Sequence, residues 1–160
     1  AGWEGEDARL NVVFEPTVIG EVRDTLTVAS PEGGEYLCEL IGNCTAPMPQ
    51  GPYSLVQGAG AVDIPFRNCF SASTTWTFSV DSPAFRIAAP VGTATVNAKT
   101  QSQVSVVFEP KEEHLSAPGG VITAKLFVTC TSIKNTPPWI FYLQGKIDQN
   151  AAAAPAKGKK

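Results

Sequence analysis

The chain has one histidine, His114, in the polar stretch Lys111-Glu112-Glu113-His114-Leu115-Ser116. A general acid or base needs a pocket and a second group to orient it. A polar loop between strands supplies neither, so His114 reads as a solvated loop residue. Four cysteines, Cys38, Cys44, Cys69 and Cys130, are the remaining candidate ligands or nucleophiles. Zinc asks for four ligands within tetrahedral reach. A Cys-x5-Cys pair followed by gaps of 24 and 60 residues, with no second histidine, does not suggest them. Gly58-Ala59-Gly60 has no helix behind it, and so lacks the dipole and amides that hold phosphate. The acidic run Glu4-Gly5-Glu6-Asp7 reads as a solvated terminus, not a cation site. No nucleophile–base–orienter set is present. The expectation is a protein that is not an enzyme, with no catalytic, metal-binding or cofactor-binding residue and no small-molecule substrate.

The cysteines also bear on compartment. An even number allows two disulfides, and Asn43-Cys44-Thr45 is a glycosylation sequon. Against a secreted chain, the N-terminus AGWEGEDARL is acidic and has no apolar core, so it is not a signal peptide. A chain of 160 residues, 43% hydrophobic, needs no covalent staples. Reduced, cytosolic thiols are expected. Cys69 and Cys130 with Trp76 invite comparison with the immunoglobulin disulfide and its core tryptophan. Trp76 follows Cys69 by only seven positions, however, which puts Cys69 in the turn beyond its strand, and the tyrosine-corner position is Val128.

Charge excludes further classes. Charged residues are 17%, below the roughly 25% of ordinary globular chains. The net charge of −3 divides into −7 over residues 1–46, +1 over 47–150 and +3 over the last ten. A nucleic-acid binder carries a basic face on its folded part, and this body has none. No apolar run approaches the roughly 18 residues that span a bilayer. Neither nucleic acid nor a membrane is an expected partner.

The elements that must carry any function are strands. Val62-Asp63-Ile64-Pro65-Phe66 alternates, with Val62, Ile64 and Phe66 on one face and Pro65 marking an edge strand or bulge. Trp76–Val80 alternates as cleanly, and Phe85–Ala88, Val104–Phe108, Val121–Cys130 and Trp139–Leu143 are further candidates. An internal repeat orders them. Val12-Val13-Phe14-Glu15-Pro16 returns 94 residues later as Val106-Val107-Phe108-Glu109-Pro110. Thr25–Val28 returns as Lys125–Val128 at an offset of 100, and Leu40-Ile41-Gly42 as Leu143-Gln144-Gly145 at 103. A period near 100 residues fits one immunoglobulin-like sandwich per repeat.

The expected organisation is therefore a partial sandwich over 1–46 (its last three strands), a complete sandwich over 47–148, and a flexible Ala/Lys tail over 149–160. Thr45–Pro52, with three prolines, reads as a short stiff linker. The partial unit must pack on the complete one, pair with another copy, or be completed by upstream chain. The missing initiator Met fits a piece of something longer.

The Val-Val-Phe-Glu-Pro strand, the closing Leu-x-Gly and the period of about 100 together resemble the ASH domains, relatives of the major sperm protein fold. These domains occur in tandem in ciliary and centrosomal proteins. Pro49–Pro52, Ile64–Asn68, Thr77–Phe85, Phe127–Cys130 and Trp139-x-x-Tyr142-Leu143-x-Gly145 are similar to the C-terminal region of one giant ciliary member. The resemblance covers roughly residues 8–148. It implies an all-β, immunoglobulin-like scaffold in the central apparatus of the axoneme, in the cytoplasm of cilia and flagella. Such a scaffold docks other central-apparatus proteins, lies against microtubules and is needed for motility. The resemblance carries over no catalytic residue. A peptide-binding adaptor of the major sperm protein type is the alternative. Lys157, Lys159 and Lys160 are candidate contacts to an acidic microtubule surface, and the tail resembles a natural chain end.

Overall fold

Alternating apolar residues make strands with one face to bury, and the strands pair so that those faces combine. The computed structural model describes residues 8–148, in which there are ten strands, two short 3-10 turns and no α-helix. The chain divides between Cys44 and Thr45 into two compact units.

The C-terminal unit contains eight strands: β3 (Gln50–Val56), β4 (Ala61–Arg67), β5 (Thr74–Val80), β6 (Phe85–Ala89), β7 (Thr93–Val96), β8 (Gln101–Phe108), β9 (Val121–Cys130) and β10 (Trp139–Lys146). They form a five-stranded sheet in the order β3-β10-β9-β5-β7 and a three-stranded sheet in the order β4-β8-β6. Every pair is antiparallel except β3 with β10. Ile64 and Phe66 from β4, Trp76 from β5, Val104, Val106 and Phe108 from β8 are buried in the core between the sheets. Phe66 crosses from the small sheet to meet Trp76 of the large one edge-on, with ring centroids 5.3 Å apart. Trp139 closes on the same indole at 4.6 Å. The sandwich expected from the alternation in β4 and β5 is the one observed.

Two strands were not anticipated. Gln50–Pro52, read as the end of a linker, opens β3, which lies along the edge of the large sheet, where a proline breaks no ladder on its outer side. The four-residue β7, Thr93–Val96, is too short for its alternation to be visible. Pro65 does sit on an edge strand, β4, as expected.

The N-terminal unit is described over residues 8–44. It holds one antiparallel hairpin, β1 (Gly20–Ser30) with β2 (Gly34–Cys44). The third expected strand, around Val12–Phe14, has no strand assignment. Its counterpart β8 is hydrogen-bonded on both sides, to β4 and β6. The described part of this unit contains no counterpart of either flank, and a strand without a neighbour has nothing to pair with.

Candidate functional site

The two hairpins are the same hairpin. β1 pairs with β2 so that Val22 faces Gly42, Leu26 faces Cys38 and Val28 faces Tyr36. β9 pairs with β10 so that Ile122 faces Gly145, Leu126 faces Phe141 and Val128 faces Trp139. The repeat offsets of 100 and 103 thus map one register onto the other without a slip. A slip by one residue would send every inward side chain to the opposite face, so matched registers mean matched faces.

The closing glycine has a physical role that the sequence does not reveal. A Cβ at Gly145 would clash with ring carbons of Phe108, and a Cβ at Gly42 with ring carbons of Phe14. In both units the phenylalanine of Val-Val-Phe-Glu-Pro packs against the backbone of the last strand, where glycine leaves it room. The environments then diverge. Phe108 is 2% exposed, whereas Phe14 is 49% exposed.

Asn68, His114 and Glu109 are engaged in structure. Asn68 is wholly buried beyond β4. Its Nδ2 donates to the carbonyls of Ala72, Val96 and Asn97 at 2.9–3.0 Å, and its Oδ1 accepts from the Phe70 amide at 3.0 Å. It ties the β4–β5 loop to the end of β7. His114 is half-buried, not solvated: it ends a 3-10 turn and its Nδ1 accepts from the Lys111 amide at 3.0 Å. Glu109, the acidic residue of the repeat motif, takes a two-point ion pair from Arg86 at 2.7 and 3.0 Å. The hydrogen bonds from Arg86 hold the Glu109 carboxyl below its usual range.

Cys38 and Cys69 are exposed, Cys44 is half-buried and Cys130 is buried, all as thiols. Cys69 lies beyond β4, as its spacing from Trp76 required, and β4 offers Phe66 to the tryptophan instead. Among the described residues no three His, Cys, Asp or Glu side chains are grouped to hold a metal ion, and no helix is long and apolar enough to cross a membrane. Glu4-Gly5-Glu6-Asp7 and Lys157, Lys159 and Lys160 lie outside the described residues.

What the C-terminal unit does present is edges. β3 and β7 bound the large sheet, β4 and β6 the small one. Pro52 and Pro65 interrupt the donors of β3 and β4, while β6 and β7 contain no proline. The large sheet also turns Tyr142 outward, 41% exposed, with the Lys125 ammonium 5.9 Å from its ring centre.

A three-on-five sandwich of this order, with every pair but one antiparallel, is an immunoglobulin-like β-sandwich. The chain is similar to hydrocephalus-inducing protein (hydin) of Mus musculus, with 37% identity over 144 residues, which is 88% of this chain and 3% of that protein. It is likewise similar to the Homo sapiens homolog, 36% identical over 151 residues, or 90% of this chain and again 3% of the relative. No protein-family model matches. Among solved structures, the CupB2 chaperone of Pseudomonas aeruginosa aligns with a TM-score of 0.48 at 11% identity, covering 62% of this chain and 55% of its own. An ASH/PapD-like domain of human CEP192 aligns at 0.44 and 10% identity, covering 92% and 98%. At these scores the fold assignment rests on the strand order itself.

Proposed function

We propose that this chain is a non-catalytic scaffold module of the ciliary axoneme, in its central apparatus, that works by docking other proteins and is needed for ciliary motility. The observation that carries the reading is the repeated hairpin register in a chain 37% identical to hydrocephalus-inducing protein. Repeats of one sandwich along a polypeptide give length with little bending freedom, which suits a beating organelle. Its open edges suit β-augmentation, in which a partner strand adds to the sheet by main-chain hydrogen bonds. β6 and β7, free of proline, are the edges that would take it. Among the described residues Asn68, His114 and Glu109 serve structure, which suits a docking role. The adaptor alternative, with acidic peptides on a basic groove, finds no support, because the bases of the C-terminal unit are dispersed. Arg67, Arg86, Lys125 and Lys146 lie on four different strands, and Lys99, Lys111 and Lys134 in three loops.

The test is removal of residues 8–148 from the parent protein in multiciliated cells. Stable parent protein that still reaches the axoneme, with altered beating or loss of a neighbouring central-apparatus protein, is the expected result. Unchanged beating and composition would contradict the proposal. Microtubule contact by the tail is a separate part of it. Three lysines within four residues give weak attraction, screened over about 8 Å at physiological ionic strength. Co-sedimentation with microtubules at low salt should fall when residues 157–160 are removed. Equal pelleting would dispose of that contact.

A further inference from the structure

Among the described residues, the four edge strands of the C-terminal unit are not equally guarded. An open edge invites pairing with another chain, and proteins block it with proline, charge or a bulge. Pro52 lies in β3, and β4 contains Asp63, Pro65 and Arg67. β6 has no proline, but it carries Arg86, and its ladder with β8 is bulged between Ile87 and Ala89. β7, Thr93-Ala94-Thr95-Val96, has no proline and no charge, and its four pairs with β5 run without a shift. It is also held in place. The Val96 carbonyl accepts from Asn68 Nδ2 at 3.0 Å and from Ser73 Oγ at 3.3 Å, which fixes the end of the strand to the buried Asn68. A regular, uncharged and anchored edge is a template for a further strand. The neighbouring registers fix what this edge presents. Trp76 is buried in the core, so Thr75 and Thr77 face outward. Thr77 stands between Thr93 and Thr129, and Thr75 stands opposite Thr95. Threonines thus run in rows across the outer face and stop at the exposed Thr93 and Thr95. Ala94, between them, points to the opposite face and is half-buried.

We infer that β7 pairs antiparallel with the β7 of a second copy, about a two-fold axis at Ala94, so that the two five-stranded sheets join edge to edge. The inference rests on the docking reading above and assigns one edge its occupant. A two-fold contact needs a self-complementary patch, and Thr-Ala-Thr is the same sequence read in either direction. With the axis at Ala94, Thr93 of each copy faces Thr95 of the other. The two Thr–Thr pairs extend the existing rows across the seam, and such pairs are among the favourable cross-strand contacts. Ala94, the smallest side chain of the strand, meets itself on the inner side, where a larger residue would crowd its twin. No charge meets a like charge. An edge of four residues belongs with interfaces below roughly 1,200 Å², which are weak and transient, so the dimer forms only at high concentration.

Sedimentation equilibrium of this chain over a concentration series tests the pairing. The mass should rise with concentration from that of one chain towards that of two. Thr93→Lys with Thr95→Lys sets lysine against lysine in both cross-strand pairs and should raise the dissociation constant about 10-fold or more. Thr93→Lys with Thr95→Glu sets lysine against glutamate in both and should restore the dimer. Both double variants alter only exposed side chains, so the core is left as it is. A chain that stays monomeric up to about 1 mM overturns the inference and leaves β7 to a strand from a different protein. A dimer that Thr93→Lys with Thr95→Lys leaves intact also overturns it, because the contact then lies elsewhere. So does a failure of Thr93→Lys with Thr95→Glu to restore association, because the two residues then do not face each other. None of these outcomes bears on the axonemal reading, which the experiment in cells tests separately.

Discussion

Single side chains decide how the two halves of the repeat differ. Gly42 and Gly145 meet the same ring in the same way, yet replacing them should not have the same cost. Gly145→Ala presses a methyl group into Phe108, which is buried and cannot withdraw, and should cost about 1–3 kcal/mol as overpacking. Gly42→Ala meets Phe14, half of whose surface is open, so the ring can swing aside and the loss should be well below that of Gly145→Ala. Urea denaturation of both variants gives the comparison, and equal losses would contradict it. Asn68 is the other residue on which the C-terminal unit depends. Asn68→Ala removes its four hydrogen bonds to buried or half-buried backbone and should cost about 2–3 kcal/mol. Asn68→Asp should be worse at neutral pH, because a carboxylate cannot donate to three carbonyls. A loss near zero for either variant would mean that water replaces the side chain.

Strands and their pairing were legible in proportion to how fully they are buried on one face. β4 and β5 alternate because one side meets a core and the other meets water, and that contrast is written in residue type. β3 was hidden by the prolines and glycine at its start, which edge position tolerates. Val12–Phe14 has the sequence of a central strand, but no strand among the described residues pairs with it. Asn68 and His114 gave no signal, since their partners are backbone groups distant in sequence or set by a turn. Glu109 was seen only as a repeat marker, and its pairing with Arg86 links β6 to the end of β8. The folded-state pKa of Glu109 is lowered, chiefly by the hydrogen bonds from Arg86, so the pair adds stability above the unfolded carboxylate pKa. That contribution is lost as pH falls through the folded value. Glu109→Gln should therefore be less stable than wild type at neutral pH, by a small margin given the exposure of the pair, and the margin should close in acid. Denaturation midpoints of both proteins across the acid range would show it. A margin that widens in acid would contradict the assignment.

Across the whole molecule, the repeat was the most informative feature of the sequence, and the structure gives it content as one hairpin register used twice. The two copies differ in burial among the described residues: Phe108 is buried in its core, and Phe14 is half exposed. The shared contact of the closing glycines with the motif phenylalanines depends on the two registers being identical. Cross-strand backbone NOEs in the labelled protein test that directly. The account predicts contacts between the Leu26 and Cys38 backbones and between those of Leu126 and Phe141. Contacts from Leu26 to Leu37 or Glu39 in place of Cys38, with the Leu126–Phe141 pair intact, would show a slipped N-terminal hairpin and contradict it.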